Sequence, residues 1–238
     1  MPHKTHTRLL VFLFVIFATF LPTHLNTIFA FQSKVRMYSY LALGDSYTIG
    51  EQVPFNENFP NKTAELLRKE HIDCANPVVI AKTGWTTDEL AASIREHNIR
   101  ETFDIVSLLI GVNNQYRGRS LENYRQEFEQ LLLQSITFAN NNPSHVFVLS
   151  IPDWGVTPFA DGRDRRKIAH EIDAYNGACK EISLAHHCHF IEITGSTRHN
   201  GQTKEYLAPD GLHPSEKEYA IWAERLANEV GQELKKGR

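Results

Sequence analysis

The sequence predicts an α/β protein built on a parallel sheet, and three observations carry that prediction. Short apolar runs alternate with longer amphipathic segments from residue 35 onward. The apolar runs are rich in Val, Ile, Leu and Phe without strict alternation, as in strands buried on both faces. The unit of strand then helix recurs five times, which calls for helices on both sides of the sheet and right-handed crossovers.

The first run, 38–43, ends in Gly44-Asp45-Ser46-Tyr47, and an amphipathic segment follows near 60–70. The second run, 78–81, passes through Lys82-Thr83-Gly84-Trp85 into a helix over 87–98, where Thr86 and Glu89 fit a capping box. The third, 104–110, leads into Gly111-Val112-Asn113-Asn114 and then a helix over 121–140 with Phe128, Leu131, Leu132, Leu133 and Ile136 on a broad apolar face. The fourth, 146–151, opens into the loop 152–159 ahead of a helix over 164–185. The fifth, 190–193, precedes Asp210-Gly211-Leu212-His213-Pro214 and a last helix over 216–235, for which Ser215 and Glu218 fit a second capping box. There is no internal repeat, low-complexity stretch or interdomain linker.

A chain of 238 residues suits one substantial domain, placed here at 35–238. An apolar fraction of 42% and a charged fraction of 22% describe a globular protein. A net charge of −3 gives no electrostatic reason to expect a nucleic-acid partner, and the cluster Arg163-Asp164-Arg165-Arg166-Lys167 reads as a solvated helix start. At the N-terminus, Lys4 and Arg8 precede an apolar run over 9–21 that stops at Pro22, which describes a secretory signal peptide over 1–30. That run is shorter than the about 20 apolar residues of a membrane span. Ile28 fits a cleavage site after Ala30 poorly, so an uncleaved anchor reaching Phe31 is the alternative, and the membrane enters only through it. Either way the domain is expected outside the cytoplasm, secreted or periplasmic. Cys74, Cys179 and Cys188 are too few for a disulfide framework and allow one bridge at most, whose pair the sequence does not choose. His186-His187-Cys188-His189 has no second ligand pair at zinc spacing, and no metal is expected there. Asn61-Lys62-Thr63 matches a glycosylation sequon.

The chemistry concentrates at the ends of the strand runs, where an open parallel sheet binds its ligands. Ser46 offers a hydroxyl, and Asp210 and His213 set a carboxylate and an imidazole three residues apart, the parts that acyl transfer at a serine requires. The Gly-x-Ser-x-Gly elbow of the common α/β-hydrolases occurs nowhere in the chain. Gly84 allows close backbone approach with its N–H toward a ligand, and Asn113 offers an amide donor for a developing oxyanion. Each motif alone also fits an ordinary turn or helix cap.

Taken together, Ser46, Gly84, Asn113 and His213, with Asp210 as the acid, make the chain resemble the SGNH hydrolases, or GDSL esterase/lipase family, over roughly residues 38–232. The resemblance implies a three-layer α/β/α sandwich of flavodoxin-like type with a five-stranded parallel sheet, and ester hydrolysis without a metal or other cofactor. It also implies an oxyanion hole from the Ser46 and Gly84 N–H groups and the Asn113 amide. The chain departs from the family with Tyr47 where Leu often follows the serine, and with Asn114 where Asp commonly follows the asparagine; the latter puts loop hydrogen bonding in doubt. Trp85, Gln115 and Tyr116, with Arg117 beside them, and Trp154 and Phe159 are expected to rim the site. Aromatic rims suit an acyl chain or a sugar face alike. With no insertion long enough for a lid, the expected substrate is a small acyl or carbohydrate O-acyl ester. A lysophospholipase or thioesterase is the second reading, and a glycan-binding domain without catalysis the third.

Overall fold

Alternate apolar runs fold as strands because each is flanked by segments that must turn back over the sheet. In chain order the elements are β1 (Tyr40–Asp45), α1 (Ser46–Ile49), α2 (Phe59–Lys69), β2 (Val78–Lys82), α3 (Thr87–His97), β3 (Ile105–Leu109), α4 (Val112–Tyr116), α5 (Leu121–Phe138), β4 (Val146–Leu149), α6 (Arg165–Ala185), β5 (His189–Ile191), α7 (Thr194–Asn200) and α8 (Glu216–Lys236). The computed structural model describes Met1 and residues 36–236, so the expected signal peptide or anchor lies outside the described residues.

The five strands are all parallel and run in the order β2-β1-β3-β4-β5. Leu41 pairs with Val78 on one side and Val106 on the other, and Asp45 pairs with Lys82. The chain leaves β1 toward β2 but leaves β3 toward β4, so the connections diverge above β1 and β3 and open a crevice at their carboxyl ends. Helices α2 and α8 pack together, while α5 packs on α3 and α6, which makes three layers. Every residue of β1, β3 and β4 is buried, as two-sided cover demands.

Local chemistry sets the helix starts. Asn58 accepts from the Asn61 N–H at 3.0 Å, Ser120 from Asn123 at 3.2 Å, and Asp164 from Lys167 at 3.0 Å. Thr86 and Glu89 form the expected capping box, with Glu89 Oε2 2.8 Å from the Thr86 N–H. The second expected box does not form. Glu218 turns inward instead and takes hydrogen bonds from Ser196 (2.6 Å), Asn200 (2.8 Å) and the Trp222 indole (2.9 Å). A buried carboxylate needs such partners, and here they tie α7 to α8.

Other boundaries shift for visible reasons. β1 begins two residues later than expected and runs on through Gly44 and Asp45, Tyr38 being left as an isolated bridge to Cys74. β5 ends at Ile191 because the Ser150 hydroxyl takes the N–H groups of Ile193 and Thr194 and bends the chain away. The cysteines are all free and buried. His186 bonds Glu129 at 2.7 Å while His189 stacks on Phe147 beside Glu233, so the His-rich tetrapeptide does not converge on one point. The sequon lies inside α2 with Thr63 fully buried, not on a surface loop.

Gly44 is required by crowding. A Cβ there would fall well inside contact distance of the Leu109 carbonyl oxygen and the Thr48 hydroxyl. Gly44→Ala should therefore destabilise the protein by at least the roughly 1–3 kcal/mol of an overpacked core, measured as a lower urea midpoint at unchanged slope. An unchanged midpoint would show that β1 can move away from β3 without cost.

Candidate active site

β1 delivers Ser46. Asp45, fully buried, sits in extended conformation and caps the short helix α1 by accepting the Tyr47 N–H at 3.0 Å, which turns the chain so that Ser46 begins that helix. Opposite stands His213, on the loop ahead of α8. Its Nε2 lies 3.0 Å from Ser46 Oγ and its Nδ1 2.6 Å from Asp210 Oδ2. In the tautomer that donates Nδ1–H to Asp210, Nε2 is free to accept the serine proton. The other Asp210 oxygen accepts the N–H groups of Leu212 (2.9 Å) and His213 (3.0 Å). Backbone contacts hold the loop as well: Leu207 bridges to Pro214, and the Ala208 N–H donates to the His213 carbonyl at 2.8 Å. The Tyr47 ring lies 5.1 Å from the imidazole and backs it. Sequence reasoning brought Ser46, Asp210 and His213 to this edge, and the fold joins them in one chain of hydrogen bonds.

The two carboxyl groups are in opposite electrostatic situations. Partial burial pushes Asp210 up, but the His213 ring and the two backbone N–H groups outweigh it and hold the carboxyl below its ordinary value. Asp45 is pushed up to about 7 by burial, against the opposing pull of the Tyr47 N–H and the Asn113 amide. The signal for Asp45 was present in the sequence, since an acid directly continuing an apolar strand must be buried with it.

Gly84 and Asn113 sit beyond the ends of β2 and β3, the two neighbours of β1. Gly84 has φ of +84°, a left-handed conformation suited to glycine. Its turn is fastened to α4 and the residue just after it. Arg117 donates to the Gly84 carbonyl at 2.6 Å, and Asn113 Nδ2 donates to the Trp85 carbonyl at 3.0 Å, with Asp45 Oδ2 3.4 Å away. Asn114 accepts the Thr87 N–H at 3.1 Å and donates to the Thr87 hydroxyl at 2.6 Å. The loop bonding that was in doubt for lack of an aspartate is made by this amide, which uses both its carbonyl and its NH2 on Thr87.

Ser46, Asn113 and His213 line a cleft of about 130 Å³ together with Tyr116, Trp154 and Phe159. Trp154 is edge-on to Tyr116 at 5.2 Å, while Tyr116 and Phe159 are exposed at the mouth. Three expected rim residues do not line it, among them Arg117, whose guanidinium turns to the Gly84 carbonyl. Trp85 packs against the core, with its carbonyl serving Asn113. Gln115 is buried behind Trp154, accepting from the indole N–H at 2.7 Å and donating to Glu171 at 2.8 Å. Helix periodicity separates Gln115 from Tyr116: adjacent residues on α4 face different ways. Tyr47 and Leu212 line the cleft unannounced, because single apolar residues beside a motif carry no signal of their own. A larger groove of about 440 Å³ between α2 and α8 brings no nucleophile and base together.

Comparison with known proteins agrees with this fold. The sequence model of the GDSL-like lipase/acylhydrolase family matches residues 42–221. The chain is 27% identical over 215 residues to the spore germination lipase LipC of Bacillus licheniformis, covering 79% of this chain and 93% of that protein. Among solved structures, an acetylxylan esterase from Geobacillus stearothermophilus superposes with a TM-score of 0.65 at 20% identity, over 82% of this chain and 94% of the other. A lipase/acylhydrolase from Enterococcus faecalis gives a TM-score of 0.65 at 20% identity, over 82% and 97%. At that identity the two structures establish a shared fold.

Asp45 generates a pH prediction. An acid whose pKa rises on folding keeps its proton in the folded state after the unfolded chain has lost it. Stability therefore falls as pH rises from the ordinary 3.8 to about 7, by at most about 1.4 kcal/mol per unit. Asp45→Asn should lack this fall and gain on the parent protein from pH 4 to 7 in urea unfolding. Parallel stability curves would mean that Asp45 titrates alike in the folded and unfolded protein.

Proposed function

The chain belongs to the GDSL-like lipase/acylhydrolase family and is a carboxylic ester hydrolase, and from that premise we propose that it works through an acyl-enzyme on Ser46 and acts on small acyl or carbohydrate O-acyl esters. The observation that carries this reading is the unbroken run from Ser46 Oγ to His213 to Asp210, opening into a small cleft. His213 takes the serine proton as Oγ attacks the ester carbonyl, and later returns it to the leaving alcohol. Asp210 fixes the tautomer and stabilises the imidazolium. The Ser46 and Gly84 N–H groups and the Asn113 amide bind the oxyanion. Asn113 donates to the Trp85 carbonyl at 3.0 Å, which fixes the plane of the amide, and its longer 3.4 Å contact with Asp45 is the one that substrate would take over. Water then cleaves the acyl-enzyme with His213 again as base.

The cleft, at about 130 Å³, is below the roughly 300–1,000 Å³ of pockets that enclose drug-sized ligands, which supports a short acyl group reached from an open side. Exposed Tyr116 and Phe159 at its mouth suit a sugar face or other flat leaving group. A second reading, hydrolysis of fatty-acyl esters by a lysophospholipase or thioesterase, draws support from the relative named a spore germination lipase. The basic residues and apolar run at the N-terminus support action outside the cytoplasm, secreted or periplasmic.

Hydrolysis of p-nitrophenyl acetate, butyrate, octanoate and palmitate tests the reading, with the highest kcat/KM expected on acetate. A maximum at octanoate or palmitate would transfer the assignment to fatty-acyl substrates. Ser46→Ala should abolish turnover with an unchanged circular dichroism spectrum, and retained activity would remove Ser46 from the mechanism. Asn113→Ala should lower kcat about a hundredfold to a thousandfold, the cost of one oxyanion donor. Asp210→Asn should lose less than Ser46→Ala, because the Leu207–Pro214 bridge and the Ala208 bond hold His213 without the carboxylate.

A further inference from the structure

Adjoining the cleft is a second, smaller and partly open space of about 20 Å³, lined on its far side by Thr157, Asn200, Leu207 and Pro214. The two spaces share three lining side chains, Tyr47, Trp154 and Leu212. These three form a partition, one face toward Ser46 and the other toward the inner space.

The partition is fixed in place. Trp154 is 5% exposed, and its indole N–H is bonded to Gln115, itself bonded to Glu171. The backbone beneath it is braced too. Buried Asp153 accepts the Gly155 N–H at 2.9 Å and pairs with Arg198 at 2.9 Å, and the Thr157 hydroxyl donates to the Trp154 carbonyl at 2.7 Å. The polar groups beyond the partition are already satisfied. Asn200 bonds Glu218 at 2.8 Å and the Thr197 hydroxyl bonds the Thr194 carbonyl at 2.7 Å, so no polar ligand is called for. What remains is an apolar recess, with Leu207, Leu212 and Pro214 along it, next to the candidate ester site.

We propose that Trp154, locked by Gln115, is the acyl-length gate of this hydrolase, and that the inner space is a latent extension of the acyl site closed off by Tyr47, Trp154 and Leu212. The proposal rests on the small-acyl reading given above and names the residue that enforces it. Packed interiors collapse only partly around a deleted side chain. Removing the indole would therefore leave a void, and here the void would join the cleft to a recess that already exists. Each further methylene accommodated there would favour binding about fourfold.

The test is the ratio of kcat/KM on p-nitrophenyl octanoate to that on the acetate, measured for the parent protein, Trp154→Ala, Trp154→Phe and Leu212→Ala. The parent should prefer acetate. Trp154→Ala and Leu212→Ala, which open the partition from different sides, should each raise the ratio at least tenfold. Trp154→Phe, which loses the bond to Gln115 but keeps a ring in place, should stay within a few fold of the parent. Should Trp154→Ala fail to fold, Leu212→Ala carries the test alone. A uniform drop at all chain lengths with the ratio unchanged would overturn the gate and leave Trp154 a structural residue, while the acetate preference of the parent stood. A parent that itself prefers octanoate would overturn the small-acyl reading and the gate with it.

Discussion

Parallel strands keep their ends level only if their register is held, and in this protein β1 is held from both sides. The pairing of Asp45 with Lys82 and of Gly44 with Leu109 fixes where three neighbouring strands stop. The nucleophile, the glycine turn and the asparagine follow those three ends directly. Slip β1 by one residue and every buried side chain would face the wrong layer, a far larger penalty than misplacing one hydroxyl. The accuracy of the site is thus a by-product of core packing, and it depends on Gly44 because any side chain there would push β1 and β3 apart.

A second layer of control comes from α4 and the residue that caps it. Asn113, Asn114 and Arg117 contact residues 85, 87 and 84 respectively, so a single short helix pins the whole glycine turn. Asp45 lies beneath the same assembly as a desolvated carboxyl with weak partners, an arrangement unfavourable for stability once it ionises. Sites that must hold reactive groups in fixed geometry commonly carry such local costs, and the surrounding structure outweighs them.

Much of this was legible in the sequence. Five apolar runs gave five strands, most plainly β1, β3 and β4, where burial on both faces leaves a compositional mark that short range alone can reveal. That Ser46, Asp210 and His213 would meet was legible because their types, placed after the strand runs, suit the acyl transfer proposed for them. What stayed hidden depended on distant partners. Glu218 looked like the reciprocal half of a helix cap, yet Ser196, Asn200 and Trp222 outbid the local N–H groups for it. Gln115 looked like a rim residue by adjacency, and only the placement of Trp154 and Glu171 reveals it as a brace. Asn114 read as a departure from pattern until Thr87 appeared opposite both ends of its amide. Tyr47 and Leu212 carried no mark at all, since an apolar residue beside a motif reads the same whether it faces core or cleft.

The hydrogen bond between Ser46 and His213 joins residues 167 positions apart, one leaving the first strand and the other preceding the last helix. A ribosome making this chain exposes the serine long before the imidazole. Until the loop ahead of α8 reaches the end of β1, Ser46 lacks its contact with His213, and on the proposed mechanism its hydroxyl has no base. On the proposed mechanism, hydrolysis therefore reports that two distant parts of the domain have come together.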